Sequence, residues 1–169
     1  MRERPTPIEK EHLLDTEHFI VSKTDLNGNI IYVNRYFLQV SGYTESELIG
    51  QPHNIIRHPD MPKTTFKLLW EHLKAKDEFW GYVKNLSKDG GYYWVFAHIT
   101  LSYHPETHEI IGYHSDRRAP DKDKIKKIIP LYQQLKQIED TQSIEAAETH
   151  LNQLLAKKEM TYEDFIFSL

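Results

Sequence analysis

The densest run of chemistry-bearing side chains in these 169 residues is Gly50-Gln51-Pro52-His53-Asn54-Ile55-Ile56-Arg57-His58-Pro59-Asp60-Met61-Pro62. Two histidines, an arginine, an asparagine and an aspartate stand close together there, broken by prolines. That is the composition of a loop held out by a rigid scaffold for a small molecule. The guanidinium of Arg57 matches phosphate oxygens two at a time, and it could equally pair with Asp60 of its own loop. A solvated surface loop with helix caps fits the same letters, because single loop charges are usually hydrated.

Trp70, Trp80 and Trp94 form the second set. Large flat rings either pack a core or line a slot for a flat ligand, and Asn34 or Asn85 could offer amide hydrogen bonds to the polar edge of such a ligand. An aromatic slot beside an arginine loop suits a nucleotide cofactor with a fused ring and phosphates. Metal chemistry finds less support. His53, His58 and His72 are present without a His-x-x-His or His-Glu-x-x-His spacing, and the chain has no cysteine. One axial imidazole would be enough for haem, and His72 on the helix of Phe66 and Trp70 is the natural candidate. Ser22, Ser41 and Ser46 lack a nucleophile-elbow context, no glycine-rich phosphate loop is present, and nothing argues for catalysis.

Such side chains act only where the chain brings them together, and hydrophobic period sets how it does so. Phe19–Ser22 and Ile30–Val33 are β-branched and aromatic runs separated by Asp25-Leu26-Asn27-Gly28-Asn29, whose Asn-Gly pair tolerates positive φ and predicts a hairpin. Helical signals follow at Arg35–Val40, at a capping box in Thr44-Glu45-Ser46-Glu47, and over Lys63–Lys76, where Phe66, Leu69, Trp70 and Leu73 share a stripe. The stretch from Gln51 to Pro62 has no clean period and predicts an irregular, partly helical segment. Trp80–Leu86, Tyr92–Ser102 and Ile110–Arg117 predict three more strands. Because short turns join the first two strands and the last three, an α+β fold is the economical solution, with one five-stranded antiparallel sheet and the short helices on one face.

The balance of 21 Lys+Arg against 25 Asp+Glu gives a net charge of −4, and the basic residues are dispersed, so no nucleic-acid footprint appears. An apolar fraction of 39% over this length fits one core with an appendage. No apolar run approaches the ~18–20 residues of a membrane span, and Met1-Arg2-Glu3-Arg4-Pro5 lacks the apolar stretch of a signal peptide, which points to the cytoplasm.

Ile31-Tyr32-Val33-Asn34, the run Ser41-Gly42-Tyr43-Thr44 with Glu47-Leu48 and Gly50-Gln51-Pro52, and Lys88-Asp89-Gly90 together resemble a PAS domain over about Phe19 to Arg118. Within PAS domains, the decamer His53–Pro62 and Trp80-Gly81-Tyr82-Val83-Lys84-Asn85 resemble the FAD-binding sensor of bacterial aerotaxis, or energy-taxis, receptors. The decamer is specific, whereas the Gly-Tyr-Thr stretch is shared with PAS domains that bind other ligands or none. The resemblance implies a non-covalently bound FAD whose redox state follows respiratory electron flow, and a signal passed by contact to a membrane-bound chemotaxis transducer. It puts Arg57, His58 and Asp60 on the family's flavin-binding loop and Trp80 on its flavin-pocket strand. Pocket logic adds Asn34, His53, Phe66, Trp70 and Asn85. A haem-binding PAS oxygen sensor and a cofactor-free PAS interaction module are the alternatives. Receptors of this type usually continue into a membrane anchor and a signalling coiled coil. This sequence stops at Leu169, so the expectation is a stand-alone PAS protein of a bipartite energy-taxis system, recruited to the membrane through its partner. Blue-light adduct chemistry needs a cysteine, which is absent.

The expected divisions are an N-terminal arm or short helix at 1–18, the sensor at 19–118 and a helical extension at 119–169. In the extension, Ile125, Ile128, Ile129, Tyr132, Leu135 and Ile138 step by three and four, as do Ile144, Ala147, Leu151, Leu154 and Leu155. Two amphipathic helices are predicted, the first kinked or restarted at Pro130, and Thr161 with Asp164 opens a third. Their apolar stripes either fold back on the sheet and on each other, or form a docking face for a partner or a second copy in a homodimer.

Overall fold

At the Asn27-Gly28 turn, Gly28 takes φ 80°, and Asp25 Oδ1 accepts the amides of Asn27 and Asn29, each at 2.9 Å. The turn closes a hairpin between β1 (Ile20–Asp25) and β2 (Ile30–Val33). The computed structural model describes residues 3–169, so Met1 and Arg2 of the expected arm lie outside the described residues. With β3 (Glu78–Leu86), β4 (Tyr92–Tyr103) and β5 (Ile110–Arg118), the hairpin forms one antiparallel five-stranded sheet in the order β2-β1-β5-β4-β3. The α+β architecture expected from the sequence is present.

Strand parity decides which side chains meet the helices, since successive residues alternate between faces. Register aligns Ser22 with Ser115 and Ser115 with Ile99, and aligns Ile20 with Arg117 and Arg117 with Ala97. These residues, with Phe79, Val83 and Asn85 of β3, face inward. Helices α1 (Arg35–Ser41), α2 (Glu45–Leu48) and α3 (Lys63–Lys76), with a single 3-10 turn at His53–Ile56, cover that inner face. Ile20, Ile30, Phe37, Leu48, Phe79, Tyr93 and Val95 are all fully buried there.

The N-terminal arm is extended rather than helical, with Pro5 and Pro7 against a helix. It runs along the β3–β4 turn, where Ile8 N donates to Gly90 O at 2.9 Å, Tyr92 N to Lys10 O at 2.8 Å and His12 N to Tyr92 O at 2.7 Å. The approach requires glycine: a Cβ at Gly90 would stand 2.3 Å from Thr6 O.

At the other end α4 (Lys122–Thr141), α5 (Ile144–Lys157) and α6 (Tyr162–Ser168) fold back on the domain. Their stripes are buried in the same core as the sheet, with Ile128, Leu135, Ala147 and Ile166 inaccessible. α4 runs through Pro130 as one helix instead of restarting there. Burial of Ile128, Leu131 and Tyr132 around the proline outweighs the one backbone bond it removes. β3 is an edge strand, and its outward backbone groups are met in turn. Lys84 N donates to Met61 Sδ at 3.3 Å, His58 N donates to Lys84 O at 3.3 Å, and Tyr132 Oη of α4 donates to Tyr82 O at 2.6 Å.

Candidate functional site

Between α3 and the inner face of the sheet lies a cavity of about 290 Å³. Ser22 and Thr24 of β1, Val83 and Asn85 of β3, Ala97 and Ile99 of β4, and Tyr113, Ser115 and Arg117 of β5 form its floor. Phe66, Leu69, Trp70 and Leu73 of α3, with His53, Ile56 and Arg57 of the loop, form its walls. Most of this surface is apolar or aromatic, which gives the polar groups that remain their weight.

Arg117 is the deepest of them, 2% exposed. Its Nη2 donates to Ser22 Oγ at 2.6 Å, its Cζ stands 4.7 Å from the Phe37 ring centroid, and its Nε and Nη1 have no partner. Ser22 Oγ also lies 2.9 Å from His53 Nε2. A guanidinium only donates, so the serine oxygen accepts from Arg117 and keeps its proton and a second lone pair for the contact with His53 Nε2. Burial, then the charges of Arg117 and Arg57, push the His53 pKa down to about 3, so the ring is neutral at neutral pH.

Arg57 Cζ stands over Phe66, 3.5 Å from the ring centroid, and its Nε is buried without a protein partner. Its backbone bridges to Asn85 of β3, and Arg4 of the arm donates to its carbonyl and to that of Asn54. The Asn85 amide is buried beside its cross-strand neighbour Tyr93, whose hydroxyl it approaches as a donor. Burial draws the pKa of both arginines down to about 10, so both remain cations at neutral pH. Among the described residues no carboxylate lines the cavity. Arg57 Nε and Arg117 Nε and Nη1, which have no protein acceptor, are all donors.

Of the residues singled out in the sequence, His53, Arg57, Phe66, Trp70 and Asn85 meet at this cavity. Trp70 is 41% exposed at its edge and meets Tyr113 edge-on, with centroids 5.0 Å apart. The others stand elsewhere. Asn34 caps α1, with Oδ1 accepting from Phe37 N at 3.1 Å and Val21 N at 3.0 Å and Nδ2 donating to Phe19 O at 2.8 Å, which commits both ends of its amide away from the cavity. Trp80, expected on the pocket side of its strand, is on the opposite face because Val83 and Asn85 take the inward parity. Its ring stacks on His98 at 3.8 Å and meets Phe167 of α6. Trp94 shares that outer face, 6.2 Å from the Tyr132 ring.

His58 and Asp60 do not line the cavity. They fasten its loop to β3, with His58 Nδ1 accepting from Asp60 N at 3.1 Å and Asp60 Oδ2 accepting from Lys84 Nζ at 2.9 Å. His72, the candidate axial ligand, also lies outside the cavity, edge-on to Phe79 and Tyr162. Ser22, Thr24, Tyr113, Ser115 and Arg117 are among the lining residues that sequence reasoning missed. Their signal was period two in Tyr113-His114-Ser115-Asp116-Arg117, which sets an arginine on the face of a serine and a tyrosine.

Among the described residues no group of three or more His, Asp and Glu could hold a metal, and no helix is long and apolar enough to cross a membrane. The aerotaxis receptor of Escherichia coli is 41% identical over 137 residues, which are 80% of this chain and 26% of that protein. The nitrogen fixation regulatory protein of Klebsiella oxytoca is 30% identical over 86 residues, 51% of this chain and 17% of that protein. The chain thus spans about a quarter or less of the length of these relatives. Among solved structures, the PAS domain of a Colwellia psychrerythraea protein superposes with a TM-score of 0.56 at 25% identity, over 62% of this chain and 87% of that one. The light-state structure of the blue-light photoreceptor Aureochrome1 LOV reaches 0.57 at 16% identity over 68% and 90%, a likeness of fold alone. The sequence profile described as the PAS fold matches residues 30–115, from β2 through most of β5, and the protein therefore belongs to the PAS fold family.

Proposed function

We propose that the cavity holds the flavin ring of FAD, and that the protein senses redox state for energy taxis and passes the signal by contact to a membrane-bound chemotaxis transducer. The observation that carries this reading is the pair of guanidiniums, Arg117 buried and Arg57 half-buried, that keep donors without a protein acceptor on a mainly apolar and aromatic wall. A flavin ring is flat, apolar at one end and rich in acceptors at the other, and it matches that wall in shape and in polarity. A cavity of about 290 Å³ suits the fused ring, leaving the ribityl and nucleotide part outside it. The specific decamer His53–Pro62 and the likeness to the Escherichia coli aerotaxis receptor support the same reading.

Each lining residue has a task in that reading. Arg117 and Asn85 donate to the acceptor edge, Phe66 holds the Arg57 guanidinium in plane, and Leu69, Leu73, Val83 and Ile99 exclude water. When bound, the flavin supplies one- and two-electron redox chemistry. Haem fits less well, because His72 lies outside the cavity and the Nε2 of His53 is already engaged with Ser22 Oγ at 2.9 Å.

The test is the visible spectrum of the purified protein, as isolated and after addition of FAD and removal of the unbound cofactor by desalting. Bands near about 370 and 450 nm that bleach with dithionite are expected for bound flavin. A spectrum that stays featureless after FAD is added, or a sharp Soret band in its place, overturns the reading.

A further inference from the structure

α3 is the wall that the cavity shares with the C-terminal helices. One face sets Phe66, Leu69, Trp70 and Leu73 against the cavity. The other is addressed by one carboxylate from each C-terminal helix: Glu139 of α4 at the first turn, Glu148 of α5 at Lys67, and Glu163 of α6 at Lys76. The contact at Glu139 differs in kind from the other two. α3 has no cap of its own, because Pro62 at the N-cap position brings no side-chain oxygen. Its first amides are met instead from 75 residues away. Glu139 Oε2 accepts from Lys63 N at 3.0 Å, and Oε1 accepts from Thr64 N at 2.7 Å and from Thr64 Oγ1 at 2.6 Å. Thr64 is 1% exposed and its two bonds are partly buried, whereas that of Lys63 is exposed; the carboxylate also faces the positive end of the helix dipole. The chain entering that turn is the loop from Arg57, whose guanidinium rests on Phe66 of the same helix.

We propose that Glu139 is a positioning residue that latches the α4–α5 hairpin to the cavity wall, so that a change inside the cavity reaches the C-terminal helices through the first turn of α3. The proposal rests on the reading of the cavity as a ligand site. A ligand that draws Arg57 and Phe66 inward pulls on the turn that Glu139 holds, and the two states are the cap made and the cap released. The ligand biases them by its difference in affinity for each, and the coupling is reciprocal.

Hydrogen exchange of the full chain, with and without added FAD, tests it. In the native protein FAD changes exchange at Lys63, Thr64 and the α4–α5 amides together, by several-fold. In Glu139→Ala the exchange of Thr64 rises about five- to tenfold, as for a lost cap, and the response of α4–α5 to FAD disappears. The FAD affinity of that variant shifts by about the factor that the native latch response shows, which a merely structural residue does not produce. Glu139→Gln, isosteric and still able to accept from Thr64, retains part of the response and guards against a variant that fails to fold. An undiminished α4–α5 response in Glu139→Ala overturns the proposal.

A second arm needs no ligand. Leu69→Ala, which truncates the cavity face of α3, and Glu139→Ala are combined, and their effects on α4–α5 exchange fall well short of additive if the latch carries the coupling. Additive effects overturn it. Non-additive effects in a protein that takes up no FAD would uphold the latch and remove the flavin reading instead.

Discussion

Arg117 is a full positive charge 2% exposed on the wall of the cavity, and no carboxylate pairs with it there: Nη2 has a serine, whereas Nε and Nη1 have no protein acceptor. Burying an unpaired cation destabilises a folded chain by several kcal/mol, so a core optimised for stability alone would put an aliphatic residue there. Ser22 and His53 are arranged around that charge, with the serine oxygen accepting from Arg117 and the imidazole kept neutral. The arrangement makes sense if a ligand supplies the missing acceptors, and the two roles separate on substitution. Arg117→Met keeps the length of the side chain and removes the charge. The ligand-free variant is expected to melt at or above the temperature of the native protein. Its FAD dissociation constant rises about ten- to a hundredfold, the worth of roughly 1.5–3 kcal/mol for hydrogen bonds to a charged group. Calorimetric melting of the ligand-free proteins and fluorescence titration with FAD measure both quantities, and unchanged FAD affinity would show that the cavity is not built around an anion or an acceptor edge.

At the scale of elements, parity and register decide what the letters of a strand mean. Trp80 carries the resemblance to the flavin-pocket strand, yet its ring lies on the outer face against His98, Phe96 and Phe167. Trp80→Ala is accordingly expected to lower the melting temperature, by a loss of about 1–3 kcal/mol for a half-buried aromatic, and to leave FAD affinity within about twofold of native. Loss of flavin at undiminished stability would put the ring in the cavity after all. Much at this scale was legible in the sequence. α3 spans Lys63–Lys76, as the spacing of Phe66, Leu69, Trp70 and Leu73 predicts, and the hairpin closes on its Asn-Gly pair. Strand faces were harder to read, because β4 is bulky on both: Tyr93, Val95 and Ile99 look inward, Trp94, Phe96 and His98 outward. Alternation alone does not say which set meets the helices. The inward arginine depends on the pairing of Ile20 with Arg117, a contact between residues nearly a hundred positions apart that local pattern does not encode. The trans-cap of α3 by Glu139 is non-local in the same way.

For the whole molecule, the question is whether the C-terminal helices hold the domain together or report on it. Ile128, Leu135 and Ile166 are fully buried in the core that the sheet uses, Tyr162 stacks on Phe79, and the Tyr132 hydroxyl closes the edge of β3. Each large apolar side chain so buried contributes about 1.5–3 kcal/mol, and a domain of this size has only about 5–15 kcal/mol of net stability. Removing residues 119–169 therefore subtracts more than the fold has to spare, and it uncovers an edge strand flanked by aromatic rings. The truncated chain is expected to be insoluble, or to lack the near-ultraviolet circular dichroism of packed aromatics, whereas Glu139→Ala in the full chain stays folded. A soluble, cooperatively melting 1–118 fragment that binds FAD as tightly as the full chain would refute this. If the fragment fails as expected, the helices cannot signal by leaving the domain, since departure would cost the fold. They would have to signal while docked, by a displacement small enough to keep Ile128 and Ile166 buried and large enough to make or break the bonds of one carboxylate to the first turn of α3.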